Sequence, residues 1–330
     1  MRRLPAIAGC AFALSLAVPA GATASGGPVP AVQGGAGVTL PGSDVRYQAI
    51  AARGGTLVQR VRVAGGTIER FREIRGRFGV PGAAFDGSTT GLSADGRTLV
   101  LAEVTDNYPA TRTRLVVLIA RTLHVRAHIT LPGFFTVDAI SPSGRWLYLI
   151  HYKGADALHY EVRAYDVDRG RLVRKPVVDP REPDEAMQGL PMTRILSADG
   201  RWAYTLYQRP ERRPFIHALD TQRRTAACID LPALDGDLSA LRLTLERGGA
   251  TLTVGQPSGP VAIVDTRTFA VRRPQLPPLQ APARRSAPPA DDGGGGLPWA
   301  LGAIGLAALA ALAALAGIRR RRHAAGTPAG

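Results

Sequence analysis

Three stretches of this chain are near copies of one another: "LSADGRTLVLAE" (Leu92 to Glu103), "ISPSGRWLYLIH" (Ile140 to His151) and "LSADGRWAYTLY" (Leu196 to Tyr207). A fourth, "LERGGATLTVGQ" (Leu245 to Gln256), is a degraded copy. Counted from Ser93, Ser141, Ser197 and Glu246, the spacings are 48, 56 and 49. A second landmark follows each copy, at Ile119, Asp166, Asp220 and Asp265, spaced 47, 54 and 45. Two independent landmarks with one period mean a unit repeated along the chain. Near the N-terminus, "LVQRVRVAGGTIERFREI" (Leu57 to Ile74) keeps the strand–turn–strand form with drifted letters.

Each unit carries alternating β-branched and aromatic residues, which read as strands. The "ADGR" and "PSGR" runs supply residues that tolerate tight turns, so the first two strands form a hairpin. The Asp-led segment makes a second turn between strands three and four. Four short antiparallel strands in about 45–50 residues make one propeller blade. A lone blade cannot bury both faces, but a ring of them can, and closure protects strand edges. The expected fold is all-β: a β-propeller of about five four-stranded antiparallel blades over residues 36–272, or six if one has lost its signature.

The hairpins "SADGRTLVL", "SPSGRWLYL" and "SADGRWAYTL" resemble those of TolB-like, WD40-like and YVTN-type bacterial propellers. "VAIVDTRTFAV" is similar to the core of a YVTN repeat. The resemblance covers about three quarters of the chain. Repeat motifs of this kind specify fold far better than function. No Trp-Asp dipeptide closes a repeat, so a eukaryotic-type WD40 protein is not indicated.

The two ends read as membrane signals. Arg2 and Arg3, an apolar run from Leu4 to about Val18 and a small-residue site at Ala22 to Ala24 give a signal helix and peptide over 1–24. "IAGC" ending at Cys10 has lipobox-like letters, but the apolar run continues beyond it. Residues 25–35 are expected to be a flexible lead-in. Residues 273–296, rich in proline and glycine, read as a stalk. Residues 297–318 carry no charge and as a helix would extend about 33 Å, enough to cross a hydrocarbon core of about 30 Å. Trp299 sits where an interfacial aromatic belongs, and Arg319, Arg320, Arg321 and Arg322 place the tail, 319–330, in the cytoplasm. No LPxTG-type pentapeptide precedes the span, which favours a retained anchor over sortase attachment.

The formal charge is +15, and the six arginines at the two ends leave +9 for the middle. The basic residues are spread over strands and turns and are almost all arginine. Nucleic-acid binding is therefore not expected. With Cys10 in the leader, Cys228 stands alone and reads as a packing residue, so no internal disulfide or multi-cysteine metal cluster is available. No GxSxG, HExxH, helix-opening GxGxxG or SxxK set is present. "GVPGAAFDGSTTG" (Gly79 to Gly91) lacks the phosphate-loop form, and Asp86 reads as a turn residue.

In a propeller the tight turns share one face and the long links the other, where binding residues collect. The long links are expected at 75–88, 104–113, 152–159, 179–192, 208–214 and 232–239. The candidate binding residues are three groups. Asp138, Arg194 and Arg242 start innermost strands and read either as an anion pocket at the channel mouth or as buried ion pairs fixing blade register. His151, His159 and His217 fall near the long-link face, as a ligand cluster or as ordinary rim and core histidines. Asp179 and Glu182 belong to the acidic loop Val178 to Pro191, a cation or basic-partner site or a solvated insertion.

Together these features predict a single-pass, membrane-tethered propeller outside the cytoplasm. It would act as a non-enzymatic binding module for a protein or a cell-wall glycan, with no cofactor. The YVTN-like resemblance implies the alternative, a propeller hydrolase of lactonase type. A scaffold or sensor ectodomain is the third reading.

Overall fold

The computed structural model describes residues 28–274, apart from 30, 107, 155, 211, 233 and 235–237. The expected signal helix, the stalk beyond 274, the transmembrane helix, the basic tail and Trp299 lie outside the described residues. Among the described residues no helix is long and apolar enough to cross a membrane.

Among the described residues the first element is β1 (Ala31–Val32), and five sheets follow in sequence order. The first holds β2 (Val38–Thr39), β3 (Val45–Ala52), β4 (Gly55–Arg62) and β5 (Ile68–Arg75). The second holds β6 (Phe78–Pro81), β7 (Thr98–Glu103), β8 (Arg112–Ile119) and β9 (His124–Pro132). The third comprises β10 (Phe135–Ile140), β11 (Trp146–Tyr152), β12 (Tyr160–Asp166) and β13 (Arg171–Leu172). In the fourth are β14 (Leu190–Leu196), β15 (Trp202–Gln208), β16 (Phe215–Asp220) and β17 (Thr225–Asp230). The fifth has β18 (Arg242–Glu246), β19 (Thr251–Gln256), β20 (Gly259–Asp265) and β21 (Val271–Arg272). Every pairing is antiparallel between sequence neighbours, except that β1 adds to the free edge of β6. The lead-in expected to be flexible thus contributes a strand. Gly79 makes room for it, since a Cβ there would come within 2.7 Å of the Val32 carbonyl oxygen.

The repeat signature has a direct physical cause. In the second, third and fourth sheets the signature serine sits at the first hairpin. Its hydroxyl accepts the N–H of Thr98, Trp146 or Trp202 at 2.8–2.9 Å. Its carbonyl accepts the N–H of Gly96, Gly144 or Gly200. The second landmark works the same way. Oδ1 of Asp166, Asp220 and Asp265 accepts the backbone N–H groups two and three residues on. Ile119 cannot, yet its turn closes with a bond from the Leu123 N–H to the Ile119 carbonyl, as Arg224 and Phe269 close the turns at Asp220 and Asp265.

The apolar core is divided among the seams between consecutive sheets. Val45, Val58, Leu99 and Val116 share one cluster between the first and second sheets. Val117, Leu131, Leu147 and Leu149 fill the next seam, and Tyr148, Val162, Ala203 and Leu219 the third. Leu206, Ile216, Leu252 and Val264 fill the fourth. A closed ring would need a fifth core between the last sheet and the first, and none of the four clusters makes that join among the described residues. The left-over face of the fifth sheet is largely polar, with Thr244, Glu246 and Thr253, while that of the first mixes Arg46, Gln48 and Gln59 with Ile50, Leu57 and Val61.

Candidate functional site

The first hairpins of the second, third and fourth sheets meet at one centre. The Asp95 N–H donates to the Pro142 carbonyl at 3.2 Å, joining the first hairpins of the second and third sheets. A Cβ on Gly200, in the fourth sheet's hairpin, would lie 2.4 Å from the Ala94 Cβ of the second. The second and fourth sheets are not neighbours, so only a shared axis brings them together. The long link read at 75–88 is redistributed here. Only Gly76 and Arg77 separate β5 from β6, and β6 is then interrupted by an excursion, Gly82–Thr90, before pairing resumes at Leu92 with Leu99. The excursion crosses to the fourth sheet, where the N–H groups of Phe85 and Asp86 donate to the carbonyls of Pro191 and Met192 at 2.9 and 3.1 Å. The Thr193 hydroxyl donates to Asp86 Oδ2 at 2.6 Å. The chain is a β-propeller repeat protein.

Between the third and fourth blades the sequence candidates sort themselves. Arg194 Nη1 donates to Asp138 Oδ1 at 2.8 Å, and both side chains are about 3% exposed. This is a buried ion pair across a seam. Arg242 does not join it: its position is one residue off the row that Leu243 occupies, and its guanidinium donates to the Ser239 and Leu241 carbonyls instead. Arg194, Thr205, His217 and Cys228 lie directly opposite one another across β14, β15, β16 and β17. The matching row in the fifth blade is Leu243, Val254 and Ala262. The fourth blade therefore replaces an apolar row with a polar one. Burial pushes the His217 pKa down, which keeps the imidazole neutral, and pushes the Cys228 thiol up. Among the described residues, Arg194 Nε and Nη2 and Asp138 Oδ2 have no hydrogen-bond partner.

The three histidines do not converge. His151 stacks on Phe135 with ring centroids 4.1 Å apart. His159 is exposed, with Nδ1 3.2 Å from Asp156 Oδ2. Among the described residues no three His, Cys, Asp or Glu side chains come together as a metal site. Asp179 is buried, and burial would raise its pKa. Bonds from the Arg181 guanidinium and N–H and from the Cys228 N–H outweigh that and hold it below the usual carboxylate range. Its role is to tie the 173–189 link to the outer strand of the fourth blade. Glu182 is exposed, and the neighbouring Glu185 carboxylate raises its pKa, so of the two candidates in the acidic loop Asp179 is structural and Glu182 is solvated.

On the long-link face a pocket of about 570 Å³ opens between the second and third blades. Phe85 from the excursion, Tyr108 from the 104–111 link, and Phe134 and Phe135 at the start of the third blade wall it. Tyr108 meets Phe134 edge-on at 5.2 Å, and Phe134 lies 5.5 Å from Tyr152. The polar part of the lining includes Glu103 and Arg114, which are paired with each other. Pro28, Val29, Ala31 and Val32 line the pocket too, so β1 forms part of its wall. Sequence reasoning missed these aromatics. The available signal was their placement in links and at strand starts, in a chain with only 6% aromatic residues.

No family model matches the chain, and no curated protein does. Solved structures similar to it include TolB from Acinetobacter baumannii, at 13% identity and TM-score 0.42 over 70% of this chain and 51% of that one. An oligogalacturonate lyase in complex with manganese is 12% identical with TM-score 0.46, over 72% and 63%. BamB from Moraxella catarrhalis is 20% identical with TM-score 0.38, over 70% and 61%. The chain thus spans from about half to under two thirds of the length of these three.

Proposed function

We propose that this propeller is a non-enzymatic binding module outside the cytoplasm, tethered by its C-terminal apolar run, that takes an apolar or aromatic side chain of a partner into the pocket between its second and third blades. The observation that carries this reading is the aromatic wall of Phe85, Tyr108, Phe134 and Phe135, built on the face that gathers the long links. What favours capture over turnover is the content of the centre. The excursion is hydrogen-bonded into the fourth blade, and Asp138 and Arg194 engage each other. The leader-like N-terminus and the uncharged 297–318 run support the address.

The test is thermal shift on the purified full chain with short peptides carrying one phenylalanine or leucine, against all-polar peptides of equal charge. A selective binder stabilises the folded state by mass action, about 2.7 kcal/mol at a hundred times its Kd. The effect should vanish in the Tyr108→Ser/Phe134→Ala double variant. No discrimination between apolar and polar peptides, or release of a product from a lactone panel, would overturn the reading. A protease-accessibility experiment on spheroplasts tests the address: the propeller should be cleaved from outside.

A further inference from the structure

The outer edge of the first blade is built unlike a protected edge. β5 ends its sheet, so among the described residues one side of its backbone faces no strand. Along it and in the preceding hairpin, Phe71 is 69% exposed, Ile68 50% and Val63 49%. The pairing explains why two of them sit together. Val61 opposes Ile68 and Gln59 opposes Phe71, with a register shift between Arg60 and Val61 that leaves Glu69 as the extra residue. In an unbroken strand Ile68 and Phe71, three apart, would point to opposite faces; the bulge puts both on one.

The charges around them are one-sided. Glu69 is engaged by Arg60 and Arg62, and Arg62 also holds Asp44 at 2.6 Å. Arg53, Arg70, Arg72 and Arg75 have no ion-pair partner among the described residues, against a single further acid on the strand, Glu73. Charged residues alone would blunt an edge strand. A water-exposed phenylalanine and isoleucine add nothing to that task and cost solubility. Arg70 and Arg72, opposite Arg60 and Val58, leave the strand on the other face from Ile68 and Phe71, so the edge presents guanidinium groups along one side and apolar groups along the other. That pairing matches a membrane surface met edge-on, where guanidinium groups meet lipid phosphates and apolar groups enter the acyl boundary.

We propose that the first blade's outer edge, Val63 to Arg75, docks edge-on against a bilayer carrying anionic headgroups. Each basic side chain near such a surface contributes about 1 kcal/mol, roughly a fivefold partition factor. This is independent of the pocket reading, and it applies whether or not the chain is also tethered by its tail.

The test uses the full chain with Cys10→Ser and Cys228→Ser, labelled with an environment-sensitive fluorophore at Thr67→Cys and combined with vesicles of neutral phosphatidylcholine or of phosphatidylcholine with phosphatidylglycerol. The label should shift to the blue and become accessible to a lipid-borne quencher only with the anionic lipid. Reversing Arg70, Arg72 and Arg75 to glutamate should lower that partition at least about tenfold, with the circular dichroism melt unchanged. A label at Lys175→Cys on the third blade should not respond. The same response in neutral lipid, or persistence after charge reversal, would overturn the proposal. So would a response to polyglutamate and none to anionic vesicles, which would assign the edge to an acidic protein.

Discussion

Arg194 reaches across a blade seam to Asp138 at 2.8 Å, and neither side chain touches solvent appreciably. Breaking such a pair from one side strands a buried charge. Arg194→Met is therefore expected to cost about 3–5 kcal/mol. The Asp138→Leu/Arg194→Met double variant should recover most of the loss, because an apolar pair of similar volume avoids the desolvation cost of both ions. Urea midpoints for the two single variants and the double, read as a cycle, check this.

Acid should lower the propeller's stability over two pH ranges. His217 is neutral in the fold because burial lowers its pKa, so the unfolded chain binds its proton more readily below about pH 6.5. Stability is full above that pH and falls beneath it. Asp166 contributes lower down. Burial alone would raise its pKa, but bonds from the Arg169 side chain and N–H and from the Arg145 side chain bring it to about 2. Its contribution is present above the unfolded value of about 3.9 and is lost as pH falls toward 2. A pH series of melting temperatures should show His217→Gln making the first limb shallower, with His151 supplying part of the remainder, and Asp166→Asn making the second shallower, with Asp179 and Asp220 supplying part of the remainder.

Two glycines separate backbone strain from steric fit. Gly144 and Gly87 both have positive φ, +73° and +84°. A Cβ on Gly87 meets nothing within 4 Å, whereas on Gly144 it would lie 2.1 Å from Thr98 Oγ1 in the preceding blade. Gly87→Ala should cost about 1 kcal/mol for the left-handed conformation alone. Gly144→Ala should cost clearly more, about 3 kcal/mol or above, since the hairpin must also back away from its neighbour. Equal effects in denaturant titrations would show that the seam yields freely.

The excursion is held to the fourth blade by the Thr193 hydroxyl on the Asp86 carboxylate. Thr193→Val removes that donor at nearly constant shape and should cost about 1.5–3 kcal/mol. Hydrogen exchange should rise at the Phe85 and Asp86 amides, which donate to Pro191 and Met192. Unchanged protection there would mean that the backbone bonds alone hold the excursion.

The repeat was legible because the same few atoms recur at each turn. The signature serine hydroxyl and the landmark Asp Oδ1 are local hydrogen-bond acceptors, and local demands are written in adjacent letters. What escaped were features set by contact between distant segments. Gly79 to Gly91 carries turn residues, and Asp86 does cap the Ser88 N–H at 2.9 Å. Nothing near it in the chain says that its other oxygen meets Thr193. Arg242 shows the same limit from the other side. Its place in the repeat differs by one residue from that of Arg194, and one residue in a strand is the difference between a seam and solvent. The pocket's aromatics come from three separate stretches, so no spacing rule joins them.

The order in which β1 finds its place has a kinetic meaning. Ala31 and Val32 pair with Pro81 and Val80, so the chain makes all of the first blade between the two halves of that pairing. A ribosome releasing this polypeptide delivers the clasp long before the edge it fastens to. Until Gly79 and its neighbours emerge, the first blade has a finished hairpin set and no buckle. Once they do, it becomes a loop held shut at its base, and pulling on the N-terminus would load the second blade before the first.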